Sequence, residues 1–195
     1  MTLFPLTEAW LAQLPEGWGS FPEAQAKASM LRQYLDVKPL QNVDALPPHL
    51  HALVTAPPPM NAWVPYVHHM GVTMAYREEC ADDAAFYTLV HDMTAALYRS
   101  PAYKLLMVVA TKERLLRAVE KRWATFHRGT TMQLLSSSAD GAVLLLTTPP
   151  FLYAEAVVPG LRAALSSVFA AAKTATEMET RRTSPTTLEL HVQFC

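Results

Sequence analysis

Cysteine is scarce: Cys80 and Cys195 are the only two, and they form no redox or metal motif. That excludes a disulfide framework and cysteine-rich zinc modules, and it points to a reducing, cytoplasmic setting. An excess of one charge is also missing. Sixteen Lys and Arg stand against seventeen Asp and Glu, with no basic run, so nucleic acid is not an expected partner. Long apolar runs are absent too, and none approaches the roughly 20 residues of a membrane span. The first basic residue is Lys27, so the apolar Leu3, Phe4, Leu6 and Trp10 lack the charged start of a signal peptide. No membrane partner is expected. The catalytic signatures G-x-S-x-G, G-x-G-x-x-G and H-E-x-x-H do not occur.

Proline is plentiful in residues 1–60, and "LPPHLHALVTAPPPMN" carries five across sixteen positions. Helices there must be short, because proline cannot continue one. The spacing predicts a helix over 22–36 with Pro22 in its first turn, and a shorter one over 48–55. A helix starting near Trp63 follows, then one over 83–98 with Phe86, Leu89, Val90, Met93 and Leu97 on one face. Either Asp82 or Asp83 is expected to cap it, within the acidic stretch "YREECADD". A third helix is predicted over 111–126, capped by Thr111, with Leu115, Leu116, Val119, Trp123 and Phe126 in a stripe.

After residue 129 the period changes. "TTMQLLSSS" and "AVLLLTT" flank "ADG", a turn in which glycine is free to take a positive φ. A helix over 152–172 follows. "TEMETRR" and "TLELHVQF" then flank "TSP", and Leu188, Leu190, Val192 and Phe194 alternate with polar residues. The expected fold is α+β: N-terminal helices followed by a hairpin–helix–hairpin, four-stranded antiparallel sheet. The domain reading is a proline-rich helical extension at 1–60 and an α+β domain at 61–195.

From Trp63 and Pro65 through "YRSPAYKLLM", "RWATFHRGT", "LLLTTPP" and "TLELHVQF", the chain resembles a myxobacterial-type paralogous family of unknown function. Its element order is also similar to a fold group of vinyl-reductase-type regulatory domains, haem nitric-oxide-binding domains and vesicle-tethering subunits. That resemblance implies a ligand pocket or a dimer face rather than a catalytic site. The haem branch requires a Tyr-x-Ser-x-Arg trio near the start of the final helix. This chain has "TTPPFLYAE" there, and "YRSPA" supplies only half the trio, ahead of the sheet. The zinc-binding vinyl-reductase-type domains require clustered cysteines. No cofactor and no metal is expected.

Seven histidines remain. His49 and His51, at a spacing of two, face apart on a helix, and adjacent His68 and His69 point about 100° apart. Surface or capped positions are the expectation for each. Met60, Trp63, Tyr66, Met70, Met74 and Tyr76 crowd one region, with Tyr66, Met70 and Met74 on one helix face. That stripe is either ordinary core or the wall of a small apolar pocket. Trp123 is core on its helical spacing, or else a lip. The ligand-binding candidates are therefore Trp63, Tyr66, Met70, Met74 and Trp123. The functional expectation is a non-enzymatic, sensor-like domain for a small, largely apolar molecule. The alternatives are a protein-interaction or dimerisation module with a filled core, and last a His- or Cys-dependent enzyme. A homodimer is expected, because sheet edges invite pairing and little net charge opposes it.

Overall fold

The computed structural model describes residues 3–99 and 111–195. Most of the "YRSPAYKLLM" stretch lies outside them. The C-terminal half follows the expected order. Strands β4 (Thr131–Ser137) and β5 (Gly141–Thr147) form one hairpin, and β6 (Thr176–Ser184) and β7 (Thr187–Phe194) form the other. They make one antiparallel sheet in the order β4-β5-β7-β6. Register stacks Met132 against Leu146 and Leu188, and Leu134 against Leu144 and Leu190. This aliphatic face packs on helix α8 (Val158–Ala171) through Leu161 and Phe169, with Leu115 and Leu116 closing one side. The turn is not built on a left-handed glycine. Gly141 belongs to β5, and the Ser138 hydroxyl instead accepts hydrogen bonds from the Asp140 and Gly141 amides at 3.2 Å. The final helix also begins later than the sequence suggests, after a short 3₁₀ turn over Glu155–Val157.

The N-terminal half is helical: α1 (Pro5–Leu11), α2 (Ala28–Val37), α3 (Pro48–Thr55), α4 (Tyr66–Glu78) and α5 (Asp83–Arg99). Asp82 caps α5, accepting from the Ala85 amide at 2.8 Å. The predicted 22–36 helix is shorter. Ala24, Ala26 and Ala28 are fully buried at a spacing of two, and β1 (Gln25–Lys27) precedes α2. Strict alternation overrides alanine's helix propensity here, because a strand buries every second side chain. Likewise Trp63 does not start α4. Trp63–Pro65 is β2, paired with β1, and β3 (His127–Arg128) pairs with the other edge of β1. This small sheet has the order β2-β1-β3. The line drawn at residue 60 thus runs between two paired strands. Arg32 also ties the proline stretch down, donating to the carbonyls of Pro57 and Pro58 at 2.6 and 2.8 Å.

The predicted 111–126 helix is broken at Ala118 (φ −99°, ψ 2°) into α6 (Lys112–Arg117) and α7 (Val119–Phe126). Beyond it Gly129 turns the chain with φ +68°, and a Cβ there would meet the Ala24 backbone at 2.8 Å. A residue with a side chain is excluded on both counts. Helices α5 and α8 join the two halves, and the Ser167 hydroxyl donates to the His91 carbonyl at 3.0 Å.

Candidate functional site

Helix α4 carries two stripes. Tyr66, Met70 and Met74 form the expected one, each at most 2% exposed and part of the N-terminal core. Tyr66, His69, Thr73 and Tyr76 form a second, polar one, equally interior. The Tyr34 ring on α2 stands 5.1 Å from Tyr76 and 6.5 Å from His69, and the Tyr76 hydroxyl donates to the Lys38 carbonyl at 2.6 Å. Burial pushes the Tyr34 hydroxyl up to about 12, with the Thr73 hydroxyl pulling the other way. It also raises Tyr66, Tyr76 and Tyr153 above the ordinary phenol value.

The corner at residues 123–129 meets this stripe from the other side. His127 on β3 lies opposite the small Ala26, which leaves room for its ring to turn inward. The ring stacks on Trp123 at 3.7 Å between centroids, and Tyr66 lies 5.6 Å away. Trp123 is half-buried, and its indole Nε1 donates to the Thr130 hydroxyl at 2.9 Å. Tyr66 also stands edge-on to His69 at 6.0 Å. The Nδ1 atoms of His69 and His127 are both buried with no hydrogen-bond partner. Burial holds His69 down to about 4, and holds His127 well below the usual imidazole value with His69 adding to the effect. Both rings are therefore neutral at pH 7.

The fold thus brings Tyr66 and Trp123 together around His127, with Met70 and Met74 in the core behind them. Trp63 stands apart on the small sheet, half-buried between the Lys27 ammonium at 4.5 Å and the Arg128 guanidinium at 4.0 Å. Surface or capped positions do not describe His69 and His127. The recurrence Tyr66–His69–Thr73–Tyr76 was available as a helical period, but nothing in the sequence places His127 beside it.

An apolar hollow of about 430 Å³ lies on a different face of α4, beneath α1 and α3. Leu11, Trp18, Leu46, Leu50, Gly71 and Ala75 contribute to its wall. None of the five sequence candidates lines it. Gly71 matters here because a Cβ would meet the Trp18 ring at 2.5 Å, so glycine lets the indole approach the helix closely. Trp18 in turn contacts His49 at 4.7 Å and His68 at 6.1 Å, and the two imidazoles are 4.7 Å apart. Burial lowers both, and His49 further lowers His68. Cys80 is half-buried with its thiol raised by burial, the wrong direction for a nucleophile. Among the described residues no group of three His, Cys, Asp or Glu is placed to hold a metal ion, and no helix is long and apolar enough to cross a membrane.

No family model and no curated protein matches the chain, so the likeness to a myxobacterial paralogous family gains no support. Solved structures do match, and they show a haem-nitric-oxide-binding-like (H-NOX-like) fold. An H-NOX protein from K. algicida, in its Fe(II) unliganded form, superposes with a TM-score of 0.56 at 10% identity, over 87% of this chain and 96% of that one. An alanine-to-glycine mutant of the same protein reaches 0.60 at 10% identity over the same shares. A Cs H-NOX mutant bearing the unnatural residue 4-cyano-L-phenylalanine gives 0.52 at 8% identity, over 86% and 96%.

Proposed function

We propose that this chain is a non-enzymatic, sensor-like domain that takes a small, largely apolar molecule between α1, α3 and α4. The observation that carries the reading is the 430 Å³ hollow walled by Trp18, Leu46, Leu50 and Gly71. Its size and mostly apolar lining, in which Thr7 and Glu8 are the polar members, fall within the range of small-molecule sites. The H-NOX-like fold supports a sensory role by analogy alone. Four of the five aromatic and sulfur candidates act as support: Tyr66, Met70 and Met74 stiffen α4 behind the hollow, and Trp123 braces the corner.

A haem does not fit the residues present. The His127 ring is stacked on Trp123 at 3.7 Å, inside the core, and the His91 Nδ1 on α5 lies 3.4 Å from the Asp92 carboxylate. The hollow is lined by none of the histidine, cysteine, methionine or tyrosine side chains that hold haem iron. The segment ahead of α8 reads "TTPPFLYAE" and contains no Tyr-x-Ser-x-Arg trio to hold the propionates.

The test is titration of the full chain with 1-octanol, read by Trp fluorescence and thermal melting. Saturable quenching is expected, lost in Trp18→Phe. Ala45→Phe, an exposed rim position, should block binding while leaving the unliganded melt unchanged. No saturable signal, or a signal untouched by Ala45→Phe, overturns the reading.

The second reading, a homodimeric interaction module, draws on one observation. Leu135 is 52% exposed at the bulge of the edge strand β4. An exposed apolar edge is a template for pairing. Light scattering decides it: a dimer that Leu135→Lys converts to monomer supports the module, and a monomeric parent chain removes it.

A further inference from the structure

A second hollow, of about 530 Å³, opens where the C-terminal end of α4 meets the first turn of α8 and the edge strand β6. It shares no lining residue with the apolar hollow. Five charged residues line it: Arg77, Asp83, Glu155, Arg162 and Glu179. Three of them are neutralised by the protein itself. The Arg77 guanidinium pairs with Asp83 at 2.7 Å, and Glu155 pairs with Arg182 at 2.8 Å. That leaves one cation and one anion. Arg162 and Glu179 make no ion pair and no side-chain hydrogen bond with any described residue, each other included.

The donors are unsatisfied as well. The Nε atoms of Arg162 and Arg77 are both buried without a hydrogen-bond partner. A buried donor on a charged group is costly to leave unpaired, so the hollow lacks an acceptor that the chain does not supply. Guanidinium groups in this state select carboxylates, whose two oxygens match their forked donors. A simple anion satisfies only half of the site, because Glu179 stands at the same hollow with no cation. Leu6, Val158 and Pro159 add apolar surface to the same wall.

We propose that this hollow binds a free α-amino acid with an apolar side chain. Arg162, with the Arg77 Nε beside it, holds the carboxylate. Glu179 holds the ammonium, and Leu6, Val158 and Pro159 receive the side chain. The ligand is net neutral, as the residual charges of the site require, and both of its charges are matched. The hollow joins α4, α8 and β6, so occupancy ties the helical half to the sheet.

The experiment is isothermal titration of the full chain with leucine and phenylalanine, alongside 4-methylpentanoate and isoamylamine. The last two keep the apolar group and one charge each. Saturable binding of leucine or phenylalanine is expected, with at least tenfold weaker binding of both single-charge compounds. Arg162→Gln and Glu179→Gln should each weaken amino-acid binding at least tenfold, while Ala45→Phe leaves it unchanged. Glu179 is exposed on β6, so its substitution keeps the test valid if Arg162→Gln misfolds. No binding tighter than a Kd of about 1 mM overturns the proposal. So does 4-methylpentanoate binding as well as leucine, which would make this a plain anion site. Binding indifferent to both substitutions overturns it too. Failure here leaves the octanol titration of the apolar hollow unaffected, so the two readings fail separately.

Discussion

Around α4 the interior holds Tyr66, His69, Thr73 and Tyr76, whereas between the sheet and α8 it holds Leu144, Leu146, Leu188, Leu190 and Val192. Both sets of side chains are buried. The sheet core needs only that apolar surface leave water, and any face of alternating aliphatics achieves that. The helical core must also find a partner for every buried donor and acceptor, and three imidazole nitrogens, on His49, His69 and His127, are left without one. One core is insensitive to pH by its chemistry, and the other is bound to proton concentration.

Truncation gives the largest effect and is expected to treat the halves alike. Tyr66→Ala should destabilise by about 3–5 kcal/mol and Leu190→Ala by about 2–5 kcal/mol, both sites being buried. Urea melts at pH 7 should show a single transition for each variant. Two transitions after Leu190→Ala would mean that the halves unfold separately, despite the α5–α8 packing.

Acid should then separate them. His69 titrates near 6.5 when unfolded and near 4 when folded, so the unfolded chain binds more protons between those values. Its contribution is complete above pH 6.5 and lost as pH falls toward 4, amounting to about 3 kcal/mol. His127, also held well below the usual imidazole value by burial, adds to the loss as pH falls. His69→Gln should flatten the stability-versus-pH curve in this window, while Leu190→Ala shifts the curve without changing its slope. Equal slopes in the parent and His69→Gln would refute the contrast.

A smaller effect tests the corner joining them. Trp123→Phe keeps a ring against His127 but removes the Nε1 donor to Thr130, so a loss of about 1–2 kcal/mol is expected in thermal melts. A loss as large as that of Tyr66→Ala would place Trp123 fully in the core. Smallest is Asp82→Ala, which frees the Ala85 amide at the start of α5 and should remove about 1 kcal/mol. Asp82→Asn should restore most of it.

The sheet half was legible because a period of two leaves little choice. "TLELHVQF" buries Leu188, Leu190 and Val192 whichever neighbours it meets, and a one-residue slip would bury Glu189. The helical half was harder to read. Ala24, Ala26 and Ala28 are also spaced by two, yet alanine favours helices, and the strand is three residues long. Trp63 and Pro65 lie on an edge strand and not in α4, where proline's missing amide costs no ladder bond. The break at Ala118 leaves no mark in composition.

What the residues determined alone is local and periodic: the two hairpins, the helix between them, an aspartate cap on α5, and the apolar face of α4. Each depends on neighbours within a few positions, so local sterics and hydrogen bonding decide it. Which polar groups share an interior was decided by tertiary structure. His127 reaches Tyr66 because β1, a hundred residues earlier in the chain, pairs with both β2 and β3. Arg162 and Glu179 line one hollow only because α8 packs beside β6. Such convergence is set by long-range packing, and no local spacing encodes it.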